Sequence, residues 1–207
     1  MFLNIVILTV SSKHKDFCVA GIDYDTGDMI RLVSENKDTN DAIPREMLEY
    51  TDGSVCTPLD VVKVPILKPS PLRYQPENML VDKSFHWEKI GKVKLSDVVR
   101  LHPLDNNRFI FGTASYITNE SAIRELNCSL TIIQVTEFEL VLGTNSRGDK
   151  RTKCRFKYYG IVYENMSVTD PTLYNLPIGY KAQTAVLVIS IPFDEPWYKF
   201  VSKAFLI

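Results

Sequence analysis

Apolar side chains come along this chain in short continuous runs or on alternate positions, and stretches at helical spacing are few. Continuous apolar runs at 2–10 and 185–192 have the character of buried strands, and 59–67 is the fourth run of strand character. Segments 17–23 and 28–34 make a hairpin about Tyr24, Asp25, Thr26 and Gly27, where Asp supplies a side-chain acceptor and Gly a positive φ. Pro65 in the fourth run calls for a strand end or an edge position. Pro44 opens a short helix to Tyr50, and Asn119 caps another that runs to Leu126. Phe85 to Gly91 and Leu95 to Leu101 are short amphipathic segments, and 108–117 is expected as a strand with a glycine kink. The chain closes with strands at 161–168, 185–192 and 197–207, the last carrying Lys199 and Lys203 on one side.

That makes about ten strands with no alternation of strand and long helix, which disfavours a doubly wound sheet. The pattern predicts an all-β chain with a few short helices, arranged as two tandem small OB-like Greek-key barrels. The predicted division gives one barrel over 1–82 and a second over 83–207. Four of the eleven prolines, Pro65, Pro69, Pro71 and Pro76, form a stiff strap over 65–76 near that junction.

The longest pattern is Ser129 to Tyr158, an apolar strand, a turn and a basic strand. Arg151, Lys153, Arg155 and Lys157 fall on alternate residues with Thr152, Cys154, Phe156 and Tyr158 between them. A strand sends successive side chains to opposite faces, so one face is cationic and the other mostly apolar. If the chain reverses around Ser146 and Arg147, Glu139 faces Arg155 and Glu137 faces Lys157. Such cross-strand pairs contribute about 0.2–1 kcal/mol each and would be ordinary sheet chemistry. Arg147, Lys150, Arg151 and Lys153 keep only Asp149 as an acidic neighbour.

Charge points the same way. The formal net charge is −1, yet residues 1–90 carry 10 Lys and Arg against 14 Asp and Glu, and residues 91–207 carry 14 against 11. A polyanion site therefore belongs in the C-terminal half. Lys68, Arg73, Tyr74 and Gln75 ride on the proline strap as a second candidate surface.

Other chemistry is missing from the sequence. There is no P-loop, dinucleotide-binding glycine motif, nucleophile elbow or zinc-protease helix, and no deaminase signature. The four cysteines lie far apart without a CxxC pair, and the three histidines have no ligand spacing, so neither metal nor cofactor is expected. Asp23, Asp25 and Asp28 lack the spacing of a calcium loop. His14 and Cys18 form only a weak nucleophile pair. The opening apolar run lacks a basic leader and a small-residue cleavage site, and no segment reaches membrane-spanning length, so a cytoplasmic protein is expected.

Several stretches resemble the dual OB-containing domain family of prokaryotic proteins, often encoded in conflict and defence loci. They are SKHKDFCVAGIDYDTGDMIRLVS, YQPENMLVD at Tyr74 to Asp82, the helix leading into SLTII, YYGIVYENMSVTDP and WYKFVSKAFLI. The likeness spans nearly the whole chain. It implies two OB-like barrels and a nucleic-acid or nucleotide ligand, and it sets Ser12, Lys13 and Arg31 near one barrel's open face. The resulting expectation is a non-enzymatic accessory module that binds single-stranded or structured DNA or RNA. Its candidate phosphate contacts are Lys13, Arg31, Arg147, Lys150, Arg151, Lys153 and Arg155, and its candidate stacking groups are Tyr74, Tyr158 and Tyr159. The alternative is a protein-binding adaptor, or a sensor of nucleotides or other small ligands, acting through the acidic N-terminal barrel or the strap.

Overall fold

The computed structural model describes the 207-residue chain apart from His14, Glu125, Ser146, Asp194 and Glu195, so the His14–Cys18 pair and part of the 146–147 reversal lie outside the described residues. Two compact units divide the chain, Met1–Pro103 and Leu104–Ile207.

The first unit is built from β1 (Phe2–Lys13), β2 (Asp16–Asp23), β3 (Met29–Val33), β4 (Asp60–Pro69) and β5 (Asn78–Val81). Their order is β1-β2-β3-β5-β4, and a pairing of β1 with β4 closes the ring. The β3–β5 ladder is parallel and the others antiparallel. Ile5, Ile7, Val19, Ile30, Leu32, Val62, Val64 and Trp87 fill its core. The hairpin turn is held as its sequence predicts: Asp23 Oδ1 accepts from the Asp25 and Thr26 amides, and Gly27 takes φ 78°.

A sixth strand, β6 (Glu88–Lys92), pairs with β4 outside the ring, and helix α1 (Leu95–Leu101) follows it. His102 Nδ1 lies 2.9 Å from Gly27 O, fastening the end of α1 to the β2–β3 turn. These contacts carry the boundary from the predicted 82/83 to 103/104, because residues 83–103 return to the first barrel instead of opening the second. The proline strap likewise does not bridge the units. Its first part is β4 itself, and residues 70–77 connect β4 to β5 within one barrel.

Pro65 sits inside β4, where the residue pattern called for a strand end or an edge position. Its missing donor is tolerated because β4 changes partner there: Asp60 to Lys63 pair with β6, and Ile66 to Pro69 pair with β5. Gly21 marks the tightest approach in this barrel. A Cβ at that position would stand 2.3 Å from Val6 O and 2.6 Å from Ile5 Cγ2. Gly21→Ala is therefore expected to lose about 1–3 kcal/mol of stability, read as a lower urea midpoint at unchanged m-value.

The second unit repeats the topology. Helix α2 (Glu120–Arg124) leads into β7 (Leu130–Thr144), β8 (Lys150–Tyr158), β9 (Ile161–Val168), β10 (Lys181–Ser190) and β11 (Phe200–Leu206). They close in the order β10-β11-β9-β8-β7, again with one parallel ladder, β9–β11. Phe138, Leu140, Cys154, Phe156, Tyr163 and Met166 point inward and are buried. Residues 108–117 are not a strand. Phe111 and Gly112 take φ 46° and 76°, and the segment turns through Ile110–Gly112. The Gly112 and Thr113 amides are satisfied locally, and the Tyr163 hydroxyl accepts from Ile110 N. Lys199 and Lys203, at the last strand, are both buried.

Candidate nucleic-acid interface

The two barrels share a topology but differ at the outer face of their second and third strands. On β2 and β3 that face carries Ala20, Ile22, Met29 and Arg31, opposite to the core residues Val19, Ile30 and Leu32. All four are buried. Arg31 Nε donates to Glu77 Oε1 at 3.2 Å, an ion pair with both side chains almost fully covered. No ligand can reach this surface as it stands.

The equivalent face of the second barrel is open. A cleft of about 450 Å³ runs along β8 and β9, floored by Lys153 and Ser167 and rimmed by Arg151, Asn145 and Asn165. Tyr116, Tyr174 and Tyr198 complete its walls. Lys153 and Ser167 are cross-strand partners, so their side chains share a face, and Lys153 Nζ donates to Ser167 Oγ at 2.7 Å. Gly143 makes room for the lysine, since a Cβ there would lie 2.6 Å from Lys153 Cγ. Lys153 is 8% exposed, and burial pushes its ammonium below the usual lysine range. Among the described residues it has no carboxylate within ion-pair distance.

The tyrosines come from segments that the fold brings together. Lys199 N donates to Tyr116 O at 2.9 Å, and Ile117 forms a bridge with Tyr198. The Tyr116 and Tyr198 rings then lie parallel within 9°, their centroids 6.3 Å apart. Tyr174 stands half exposed, its hydroxyl donating to Val168 O.

The candidates named from the residue pattern divide sharply. Arg151 and Lys153 line the cleft, and Arg147 and Lys150 are exposed on the β7–β8 turn that also contributes Asn145. Arg151 keeps a loose contact with Asp149 at 3.5 Å. Arg155 lies outside it, both Nε and Nη2 bound to Glu139 Oε2 at 2.8 and 2.6 Å, and Lys157 pairs with Glu137 at 2.6 Å. Glu139 faces Arg155 as the hairpin register predicted, whereas Lys157 faces Thr136 and reaches Glu137 only because a bulge, with Glu137 at φ 54°, shifts the register there.

Tyr158 is inside the barrel, where its hydroxyl donates to Asp105 O and burial raises its pKa. Tyr159 is exposed on the β8–β9 turn, beside a smaller hollow with Leu104 and Gln134. In the first unit, Arg31 is sealed against Glu77, and Lys13 Nζ donates to Asn40 O at 2.5 Å. Tyr74 is half-buried with the Arg73 guanidinium 5.2 Å from its ring centre. The cleft tyrosines and Asn165 escaped the residue pattern. The one available signal was an aromatic pair, Trp197-Tyr198, just before the last strand.

Two five-stranded barrels of identical strand order agree with the family model described as the dual OB-containing domain, which matches residues 3–204. The chain belongs to the dual OB-containing domain family. No curated protein matches it. A dual OB chain is a pair of OB-fold modules, a class that generally binds nucleic acids or other ligands on the face of its second and third strands and the adjoining loops. In this dual OB chain the open cleft lies on that face of the second barrel. Among the described residues no three His, Cys, Asp or Glu side chains gather as metal ligands, and no helix is long and apolar enough to cross a membrane.

Proposed function

We propose that the chain is a cytoplasmic, non-catalytic module that binds single-stranded nucleic acid in the β8–β9 cleft of its C-terminal barrel. The observation that carries this reading is Lys153, an ammonium nine-tenths buried at the cleft floor with a hydroxyl for its partner in place of a carboxylate. A buried cation without a counter-ion is costly alone and is relieved by a phosphate. Arg151 supplies a second charge at the rim, while Tyr116, Tyr174 and Tyr198 offer ring faces for bases. This combination of a cationic groove and stacking groups is how OB barrels hold single strands. We propose as its setting an accessory role in a prokaryotic defence system.

Arg151→Ala with Lys153→Met is expected to weaken binding of an oligothymidylate by about tenfold to thirtyfold. It should also flatten the slope of log K against log salt by about 1.4, two phosphates at about 0.7 each. Arg155→Ala, whose guanidinium is engaged by Glu139, should change little. Fluorescence anisotropy over a salt series measures both quantities. Equal losses for Arg155→Ala and the double variant, or wild-type binding indifferent to salt, would overturn the assignment.

A further inference from the structure

We infer that Lys199 is the positioning residue of this cleft: its ammonium sets the Tyr116–Tyr198 ring pair, so that losing its charge loosens the surface on which a base stacks. The inference rests on the nucleic-acid reading only for the identity of what stacks. Lys199 is 1% exposed, one residue past Tyr198. Its Nζ donates to Thr113 O at 2.8 Å, Thr113 Oγ1 at 2.7 Å and Ser115 O at 2.7 Å. Its own backbone amide donates to Tyr116 O. One side chain and one amide thus fasten the whole 113–116 segment against the residue that follows the partner ring.

Three acceptors match the three donors of an ammonium and exceed the two of a neutral amine. The Thr113 hydroxyl cannot reverse its role cheaply, because it donates to Ile117 O at 2.5 Å. Thr113 O retains the Tyr163 hydroxyl as a second donor. Among the described residues Ser115 O has no such substitute, and Ser115 is the neighbour of Tyr116. Deprotonation therefore releases the clamp on the side that carries the cleft ring.

The surroundings place that change near neutrality. Around Lys199 stand Thr113 and Ser115 from the turn and the Tyr163 ring face of β9, 5.4 Å from Nζ, with Tyr116 and Tyr198 alongside. The charged groups of the adjoining cleft, Arg151 and Lys153, are cations, with Asp149 beside Arg151. No carboxylate among the described residues pairs with Lys199, and burial pushes its pKa down to about 7.

The test titrates the protein from about pH 6 to about pH 8.5, following a fluorescein-labelled oligothymidylate about 15 nucleotides long and the ring resonances of ¹³C-labelled tyrosine. Wild type is expected to lose about tenfold in affinity over that range, the weight of one base–aromatic stack. The Tyr116 and Tyr198 resonances should move with a midpoint close to 7. Lys199→Met should bind weakly at every pH with flat resonances, and Lys199→Arg should bind at the acid-side level throughout. Should Lys199→Met keep the wild-type pH profile, the charge change belongs to Lys153 and the inference is overturned. Tyrosine resonances that ignore both pH and the substitution overturn it too, whatever binds. If the resonances titrate and Lys199→Met abolishes that, while no oligonucleotide binds, the positioning role stands and the nucleic-acid reading fails.

Discussion

Asp170→Ala is expected to destabilise the C-terminal barrel by about 3–5 kcal/mol, because it strips the partner from a buried charge. Asp170 is 1% exposed and spends both oxygens. Oδ2 accepts from Lys203 Nζ and from the Ala204 amide, each at 3.0 Å. Oδ1 accepts from the Thr172 amide at 3.0 Å and its hydroxyl at 2.7 Å. The carboxylate thereby joins the turn after β9 to the middle of β11. Its removal leaves the Lys203 ammonium covered, with the Thr172 hydroxyl and the Phe205 ring face in place of a carboxylate. Urea unfolding followed by circular dichroism measures the loss, with Trp87 emission in a Trp197→Phe background reporting the N-terminal barrel separately. Asp170→Leu combined with Lys203→Met should recover most of it, since an apolar pair of similar volume replaces an ion pair at little net change. A double variant as unstable as Asp170→Ala would show that the cost lies in the turn and not in the orphaned charge.

Lys199 is expected to make the protein more stable as pH rises from about 7 towards 9. Its folded-state pKa is about 7, against 10.5 for an ordinary lysine. Between those values the unfolded chain holds one more proton than the folded one. Unfolding free energy then climbs with pH, by at most about 1.4 kcal/mol per unit. The gain is absent below pH 7, where both states are charged. Above about pH 9 it is opposed by Cys56 and Cys154, whose thiols burial pushes up from 9.0, so the unfolded chain ionises first. Urea midpoints at intervals across this window check the slope, and Lys199→Met should remove most of it, leaving the smaller contribution of Lys153, whose pKa burial also lowers. Stability and oligonucleotide affinity are therefore expected to run in opposite directions with pH. A shared direction would mean that the titrating group is another.

The barrels were legible in the residues because β-branched runs and turn chemistry are local properties. Even the ion pair Glu139–Arg155 followed from counting back from a turn, while Glu137 meets Lys157 through a bulge that the count does not contain. The boundary was not legible, since Glu88–Lys92 has no apolar alternation to show which barrel it joins. Arg31 illustrates a deeper limit. Its place in Met29–Val33 assigns it correctly to the outer face, but nothing local says that this face is covered. Lys153 and Arg155 occupy equivalent positions in one alternating pattern, and only their cross-strand neighbours, Ser167 and Glu139, set them apart. Tyr116 and Tyr198 lie in irregular segments far apart in sequence, and they meet through backbone bonds that no periodicity encodes.

The change of neighbours along β4 at Pro65 gives the two halves of that strand separate partners on the side away from β1. One is laced to the ring by β5, beginning with Asp82 N donating to Pro65 O, and the other to the outlying β6. Peeling β6 away would thus leave the barrel wall shut, so its amides should exchange with solvent well before those of β5.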